Sequence, residues 1–196
     1  MTGRVPTVLV VTGPSGAGKG TLIRELVERV PGIEVTVSAT TRERRRGEED
    51  GREYGFLSDE DFLARVARGE FLEHVEYVSG HCYGTLRSEL DRIAAKGLVP
   101  LLELETKGAL RVKDEVPGAV TIFISARVEE LERRLRERAT ESAGEIGERI
   151  ELARKQLEQA RRFDYVIEND DLERAVAELT TLVRGLIGAT ATMPRR

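Results

Sequence analysis

The chain has 196 residues, of which 40% are hydrophobic and 34% charged, and these values are typical of one soluble domain with a full core. Its formal net charge of −4 argues against a nucleic-acid-binding protein, which favours a basic surface. No apolar run is long enough to cross a membrane or to act as a signal peptide. The single cysteine, Cys82, permits no internal disulfide, so we expect a cytoplasmic protein without a membrane or nucleic-acid partner.

The first predicted element is a short, β-branched apolar run at residues 7–12, which indicates a buried strand. A glycine-rich loop follows with the P-loop spacing, and apolar residues at 22, 23, 26, 27 and 30 then predict a helix. Glycines let the loop direct its N–H groups at a phosphate chain, and a lysine adds a mobile charge. We therefore predict that a phosphate chain binds at Gly13, Pro14, Ser15, Gly16, Ala17, Gly18, Lys19, Gly20 and Thr21.

The predicted loop departs from the full motif at one position. Gly20 stands where a serine or threonine usually binds magnesium, and Thr21 comes one place later. We therefore expect Mg²⁺ to be held mainly by phosphates and water, an arrangement that this ion accepts. A glycine-rich turn can also be a mere connection, but the order of strand, loop, lysine and helix favours the phosphate site.

An arginine-rich segment follows a second predicted strand at residues 35–38. Residues 42–46 carry four arginines in five positions, and Tyr54 comes soon after them. Such a charge run either forms a solvated face or binds an anion. Arginine forks beside a tyrosine hydroxyl suit a phosphate, which favours the second interpretation.

The middle of the chain predicts two helices and two strands. Ser58 is the predicted N-cap of a helix that packs through residues 62, 63 and 66. An alternating run at 70–78 predicts a strand, and apolar residues at 86, 90, 93 and 94 predict a helix. A further strand at 98–105 ends in Glu103 and Glu105, and acids at the carboxyl end of a strand near a P-loop commonly face a ligand or metal.

The last third combines two short strands with charged helices. We predict strands at 120–124 and 165–167, and a final helix that opens at Asp170 and Asp171. Between the strands, an arginine-rich helix at 128–135 and a second helix through Ile150, Leu157 and Ala160 flank a breaker-rich joint at 139–144. These two helices form either a solvated hairpin or a mobile flap. The tail at 188–196 is expected to fray.

Alternating strands and helices with a P-loop imply an α/β fold, a parallel sheet with helices on both faces. At this point the sequence resembles the guanylate kinase family over almost its whole length. The motifs that carry the resemblance are Gly13-Pro-Ser-Gly-Ala-Gly-Lys19, Ser38-Ala-Thr-Thr-Arg42 with Arg45-Arg-Gly47-Glu48, Phe71-Leu-Glu73, Tyr83-Gly84-Thr85 and Val166-Ile-Glu-Asn169-Asp170-Asp171.

The resemblance implies a core at 5–37, 89–126 and 163–187, an inserted GMP-binding lobe at 38–88 and a helical lid at 127–162. It implies transfer of the ATP γ-phosphoryl group to GMP, with Mg²⁺. The implied GMP-binding residues are Ser38, Arg42, Arg45, Tyr54, Glu73, Tyr83, Thr85, Glu103 and Glu105. The glycine-rich loop at residues 13–21 and Asn169 are implied to bind ATP. The implied catalytic residues are Lys19, Arg42, Arg134, Arg138 and Arg149.

Within that set, Glu73 is expected to distinguish guanine from adenine. Guanine offers a ring N–H and an amino group to one carboxylate, whereas adenine reverses the pattern and leaves the acid without donors. Glu103 and Glu105 replace the aspartates that family members often carry, and Lys107 precedes Gly108 where glutamine is usual. The lid reads Arg136-Glu137-Arg138-Ala139 where the family prefers glycines at 137 and 139, which implies a stiffer hinge.

Two other functions compete with this one. Scaffold domains related to the family bind phosphopeptides, but they tend to lose the P-loop lysine, and Lys19 is present. A kinase for a phosphorylated sugar such as ribose bisphosphate would not need a guanine reader, so Glu73 and Ser38 argue against it. The oligomeric state stays open at this level.

Overall fold

The structure is a computed structural model that describes residues 7–76, 80–138 and 143–188. Residues 139–142 of the predicted joint at 139–144, and residues 189–196 of the predicted frayed tail at 188–196, lie outside these ranges. Within them, no helix combines the length and the apolar character needed to cross a membrane.

A five-stranded parallel sheet forms the centre of the molecule. Its strands are β1 (Val8–Thr12), β2 (Ile33–Val35), β7 (Val99–Glu103), β8 (Ala119–Ser125) and β9 (Tyr165–Glu168). They lie in the order β2-β7-β1-β8-β9, so the strand that leads into the glycine-rich loop is central. Every residue of β1 is buried, because a parallel sheet is covered on both faces and needs a continuous apolar run.

Helices cover both faces of this sheet. On one face, α1 (Lys19–Arg29) and α7 (Leu172–Gly188) pack their apolar residues against the strands. On the other face, α4 (Thr106–Glu115) packs against the strands. Phe163, which follows a single 3-10 turn at Ala160–Arg162, packs in the same cluster. The chain also forms α3 (Arg87–Ala94), α5 (Val128–Arg138) and α6 (Ala143–Leu157). The predicted α/β class and its two helical layers are confirmed.

A second, smaller sheet lies between β2 and α3 in chain order. It consists of β3 (Ala39–Thr40), β4 (Gly55–Phe56), β5 (Phe71–Glu76) and β6 (Cys82–Leu86), arranged β4-β3-β6-β5. Its cover is α2 (Asp59–Ala67), whose Phe62 ring lies 4.4 Å from the ring of Phe71 between centroids. We call these four strands the small sheet.

The predicted cap of α2 is confirmed, since the Ser58 hydroxyl accepts a hydrogen bond from the Asp61 backbone at 3.0 Å. Three expectations were wrong. The strand predicted at 35–38 ends at Val35, because the chain makes one more backbone hydrogen bond to β7, from Thr36 to Leu101, and then crosses to the small sheet. Ala160 lies in the 3-10 turn and not in α6. The strand predicted at 98–105 ends at Glu103, and the sequence pattern also missed α4, which begins at Thr106 without a side-chain cap.

Candidate active site

The glycine-rich loop joins the carboxyl end of β1 to the first turn of α1. Gly13, Gly16 and Gly18 have φ angles of 145°, 86° and 85°, and the Ala17 N–H closes a turn on the Pro14 carbonyl at 3.2 Å. The amino end of a helix carries a partial positive charge and free N–H groups. The loop is therefore built to receive an anion at this edge of the sheet.

Lys19, the first residue of α1, extends its side chain back across the loop. Its ammonium donates to the carbonyls of Gly13 at 2.8 Å and Pro14 at 3.2 Å. The charge is thus held at the mouth of the loop. Gly20 and Thr21, the next two predicted residues, lie in the same first turn of α1, and a Cβ on Gly20 would meet nothing within 4 Å.

Asn169 supports the loop from behind. Its side chain is 3% exposed, and its amide donates to the Ala17 carbonyl at 2.7 Å. A Cβ on Gly18 would lie only 2.4 Å from that amide nitrogen, so this position accepts no side chain. The Asn169 Oδ1 atom has no hydrogen-bond partner among the described residues. The observed contact of Asn169 is therefore with the loop backbone, and its contact with ATP stays a prediction.

Two of the three predicted lid arginines reach the loop. Arg134 donates to the Gly16 carbonyl at 3.3 Å and to the Asn169 carbonyl at 3.1 Å, while its Nε pairs with Glu130 at 2.7 Å. Arg149 donates to the Ser15 hydroxyl at 3.0 Å. Arg138 ends α5, and its side chain lies outside the described part of the structure. Both α5 and α6 therefore place a cation against the loop.

Glu130 holds the α5 arginines in place. Hydrogen bonds from Arg133, and then from Arg134, lower the pKa of Glu130 to about 2. The spacing of four residues between Glu130 and Arg134 is that of neighbouring side chains on a helix face, so the sequence contained a signal for this pair.

A cationic and aromatic cluster lies on the small sheet. The Arg42 guanidinium pairs with Glu48 at 2.8 Å and lies 5.4 Å from the centre of the Tyr54 ring. Tyr54 in turn meets Tyr83 edge to face, with 5.9 Å between ring centres. Hydrogen bonds to Glu48, and more weakly to Tyr83, raise the pKa of Arg42. The structure thus brings together three of the four residues predicted to hold the GMP phosphate.

Glu48 connects this cluster to the fourth residue, Arg45. One Glu48 oxygen accepts from Arg42, and the other accepts from the Arg45 backbone N–H at 2.8 Å. The Arg45 side chain itself is exposed. Hydrogen bonds from Arg42 and Arg45 lower the pKa of Glu48, which keeps the acid ionised beside the arginines. Glu48 is part of the sequence motif at residues 45–48, but the sequence predicted no function for it.

A buried carboxylate lies on the neighbouring strand. Glu73 is 5% exposed, and its Oε1 accepts a hydrogen bond of 3.0 Å from the hydroxyl of Thr85, which is fully buried. The two residues face each other because β5 and β6 pair in that register. Burial raises the pKa of Glu73, and the Thr85 hydrogen bonds oppose that shift. Ser38 comes directly before β3, where its carbonyl accepts from the Gly55 N–H.

Two acids stand where the carboxyl end of β7 meets the loop. Glu103 lies beside Val11 of β1, and although its side chain reaches solvent, the surrounding protein desolvates the carboxyl and raises its pKa. Lys19 opposes that rise, while Glu105 and Tyr54 lie within electrostatic reach of Glu103. Glu105 accepts a hydrogen bond of 3.3 Å from Gln156 of α6. Glu103 is therefore close to both Lys19 of the loop and Tyr54 of the cluster, whereas Glu105 contacts α6.

The side chains around the loop show whether the predicted Mg²⁺ could bind there. Among the described residues, no group of three or more acids, histidines or cysteines could hold a metal. Gly20 supplies no hydroxyl, and Glu103 is the carboxylate whose pKa responds to Lys19. Such a set fits Mg²⁺, which commonly combines one or two carboxylates with substrate phosphates and water.

The chain is similar to known proteins over most of its length. Residues 5–186 match the family model described as guanylate kinase. A guanylate kinase of Synechococcus sp. (strain CC9311) is 50% identical over 89% of this chain and 90% of its own length. Another, of Symbiobacterium thermophilum, is 45% identical over 90% of this chain and 83% of its own. The crystal structure of a guanylate kinase from Anaplasma phagocytophilum covers 92% of this chain and 85% of its own, with 31% identity and a TM-score of 0.71.

Proposed function

The chain belongs to the guanylate kinase family and transfers the γ-phosphoryl group of ATP to GMP, and we propose how its parts divide that work. The glycine-rich loop with Lys19 binds ATP, and residues 38–88 bind GMP. Residues 127–162 act as a lid that brings cations to the loop. The contacts of Arg134 and Arg149 with the loop support this division.

One observation carries the assignment of the acceptor, the buried carboxylate of Glu73 beside Thr85. A carboxylate accepts hydrogen bonds and, when ionised, donates none. It therefore pairs with the ring N–H and the amino group that guanine presents together. Ser38 donates to the guanine carbonyl in this proposal. Burial makes the selection of guanine over adenine strong. A buried carboxylate without hydrogen-bond donors from the base would have a large desolvation cost.

The cluster around Arg42 holds the phosphate of GMP. Arginine forks and phenolic hydroxyls are donors, and a phosphate offers several acceptor oxygens. Glu48 holds the Arg42 guanidinium through one of its nitrogen atoms, at 2.8 Å. Arg45, Tyr54 and Tyr83 complete the proposed cradle, in which Glu103 and Glu105 line the side that faces the loop.

Phosphoryl transfer needs alignment and charge neutralisation more than covalent help from the protein. Lys19 stabilises the charge on the terminal phosphates of ATP. Arg134, Arg138 and Arg149 neutralise the transferring group from the lid side, and Asn169 keeps the loop in shape. No side chain is assigned as general base, because the GMP phosphate oxygen is already an anion that attacks in line. Closure of lid and lobe excludes water from the site.

Magnesium bound with ATP would neutralise charge between the phosphates. In this proposal, the ion would be held mainly by phosphates and water, and Glu103, whose pKa burial raises and the Lys19 charge lowers, is the carboxylate of the chain that would contribute. The proposed setting is the cytoplasm, with small-molecule substrates and neither a membrane nor a nucleic acid as partner. The net charge of −4 and the single cysteine support it.

A panel of acceptors tests the assignment. ADP formation from ATP is followed with GMP, AMP, UMP and ribose bisphosphate at equal concentrations, with a blank that lacks acceptor. We expect GMP to be preferred over every other acceptor. A preference for ribose bisphosphate would establish the sugar-phosphate kinase, and equal rates with AMP and GMP would show that the base is not read.

A further inference from the structure

We propose that Gly108 is a specificity-determining residue, because its missing side chain leaves the space in which the Glu73 carboxylate stands. The inference rests on the proposed role of Glu73 as the group that reads guanine. Gly108 lies in the first turn of α4, so it belongs to the core of the molecule, whereas Glu73 belongs to the small sheet. The guanine reader is thus shaped by two regions together.

The geometry of the contact is tight. Thr85 binds one carboxylate oxygen of Glu73, Oε1, at 3.0 Å. The other oxygen, Oε2, would lie 3.1 Å from a Cβ added to Gly108, and the carboxyl carbon would lie 3.7 Å away. An oxygen at 3.1 Å from such a Cβ is closer than ordinary van der Waals contact, so a methyl group at 108 would displace the carboxylate by a few tenths of an ångström.

The backbones on both sides are held in place, so the side chain of Glu73 must give way. Leu72, the neighbour of Glu73 on β5, is 3% exposed and packs in the same cluster as Ala109 of α4. Ala109 and Val112 are 0% and 1% exposed, which anchors α4 in the core. Neither the strand nor the helix can retreat without opening that cluster. A substitution at 108 therefore acts on the position of the carboxylate.

A small displacement matters for guanine because two hydrogen bonds must form at once. N–H to oxygen distances are confined to about 2.7–3.2 Å, and the bonds weaken steeply when they are misaligned. A carboxylate pushed away from α4 keeps its bond to Thr85 and loses alignment with one of the two guanine donors. IMP lacks the amino group of GMP, so it needs only one of these bonds. Displacement should therefore lower the rate with GMP more than the rate with IMP.

A matched control exists in the same chain. Gly185 lies inside α7, and a Cβ there would meet nothing within 4 Å. Gly108→Ala and Gly185→Ala make the same chemical change in a helix, where alanine is favoured over glycine. They differ in whether the added methyl group meets the Glu73 carboxylate.

The test is a double-mutant cycle on the full chain that combines Gly108→Ala with Glu73→Gln. The ratio of kcat/KM for GMP to kcat/KM for IMP is measured in wild type, both single variants and the double variant. We expect Gly108→Ala to lower this ratio roughly three- to ten-fold, with the KM for ATP unchanged. Gly185→Ala should leave the ratio unchanged, and Gly108→Ala should have no further effect in the Glu73→Gln background, since the two act as one unit.

The failures are distinguishable. If Glu73→Gln lowers the ratio and Gly108→Ala does not, the inference about Gly108 is overturned and the proposed reader stands. If the GMP-to-IMP ratio stays at the wild-type value in Glu73→Gln, Glu73 does not recognise guanine. The proposed role of Gly108 is then overturned as well. Should Gly108→Ala unfold, Glu73→Asp withdraws the carboxylate by one methylene and should restore the unfolding temperature. Without that rescue, the steric contact with Glu73 is not what limits position 108.

Discussion

The two halves of the site are built in different ways. The ATP side is one contiguous loop, in which backbone N–H groups, three glycines and Lys19 come from a stretch of seven residues. The acceptor side is assembled from β5, β6 and the segment before β4, and α4 of the core closes it. One side depends on the local path of the backbone, and the other depends on how distant elements pair.

This difference affects what a substitution does. On the proposed ATP side, Lys19 and one backbone shape bind the terminal phosphates, so one change there should remove a large share of catalysis. On the proposed acceptor side, several side chains would share the binding of GMP, and two of them are held by partners, Arg42 by Glu48 and Glu73 by Thr85. Single changes there should weaken GMP selectively and by smaller amounts.

The largest effect is expected at Lys19. Lys19→Ala should fold and should lose roughly 10²- to 10³-fold in kcat, the scale on which removal of one charge-stabilising donor acts. A coupled assay of ADP formation measures it. Lys155→Ala, which removes an exposed lysine of α6, is the matched control and should keep its turnover. Near wild-type turnover in Lys19→Ala would mean that the loop does not bind the transferred phosphates.

The next effect should appear at Arg42 and should concern GMP alone. Arg42→Ala is expected to weaken GMP about ten- to hundred-fold by loss of a charge-assisted bond to the phosphate, and Arg45→Ala should act in the same direction. Calorimetric titration of GMP and ATP into each variant measures both affinities. Arg52→Ala removes an arginine with 69% exposure nearby and should change neither. Equal losses for ATP and GMP would show that Arg42 supports the fold.

A pH dependence should follow from Glu73. Burial raises the pKa of its carboxyl above the ordinary value, whereas binding of guanine requires the ionised form. As pH falls through the raised pKa, the KM for GMP should rise by up to about ten-fold per pH unit. For folding the sign is opposite, because protonation of Glu73 in the folded state adds stability that is present at low pH and is lost as pH rises through that pKa.

The measurement compares the KM for GMP between pH 8 and pH 5 in wild type and Glu73→Gln. The phosphate of GMP also titrates in this range, near pH 6, but it does so equally for both proteins. The extra dependence of the wild type is therefore the signal from Glu73. If the two profiles are parallel, the carboxyl does not titrate on GMP binding.

The smallest effect is expected from Glu48, which orients Arg42 without facing the reaction. Glu48→Gln keeps the size and removes the charge, so Arg42 should remain nearby with a less fixed fork. A rise of about two- to five-fold in the KM for GMP, with kcat unchanged, would fit a positioning residue. In the Arg42→Ala background the change should add nothing, and a full additional loss there would show that Glu48 acts on something else.

Sequence reasoning performed well where structure follows from neighbouring residues. The run into β1, the loop and α1 form one local unit, and the cap of α2 at Ser58 is read from adjacent residues. It failed where no local pattern exists. Strands β3 and β4 have two residues each, too few for any periodicity, and α4 begins at Thr106 without a side-chain cap hydrogen bond from Glu105.

The site shows the same division. Glycine spacing alone predicted the shape of the loop, and the resemblance to a family supplied Arg42, Glu73 and Thr85 as candidates. The neighbours of these groups could not be predicted in this way, because Glu48 comes close to Arg42, and Gly108 to Glu73, only in the folded chain. Such contacts join residues on different elements and leave no periodic trace in the sequence.

The central claim is that the buried carboxylate of Glu73 selects guanine, and the acceptor preference of Glu73→Gln tests it most directly. Values of kcat/KM for GMP and AMP are measured for wild type, for Glu73→Gln and for Glu76→Gln, which alters an exposed acid on the same strand. We predict that the preference for GMP over AMP shrinks roughly ten- to thousand-fold in Glu73→Gln, through loss of GMP activity, and stays unchanged in Glu76→Gln. A Glu73→Gln enzyme that keeps the wild-type preference would contradict the account.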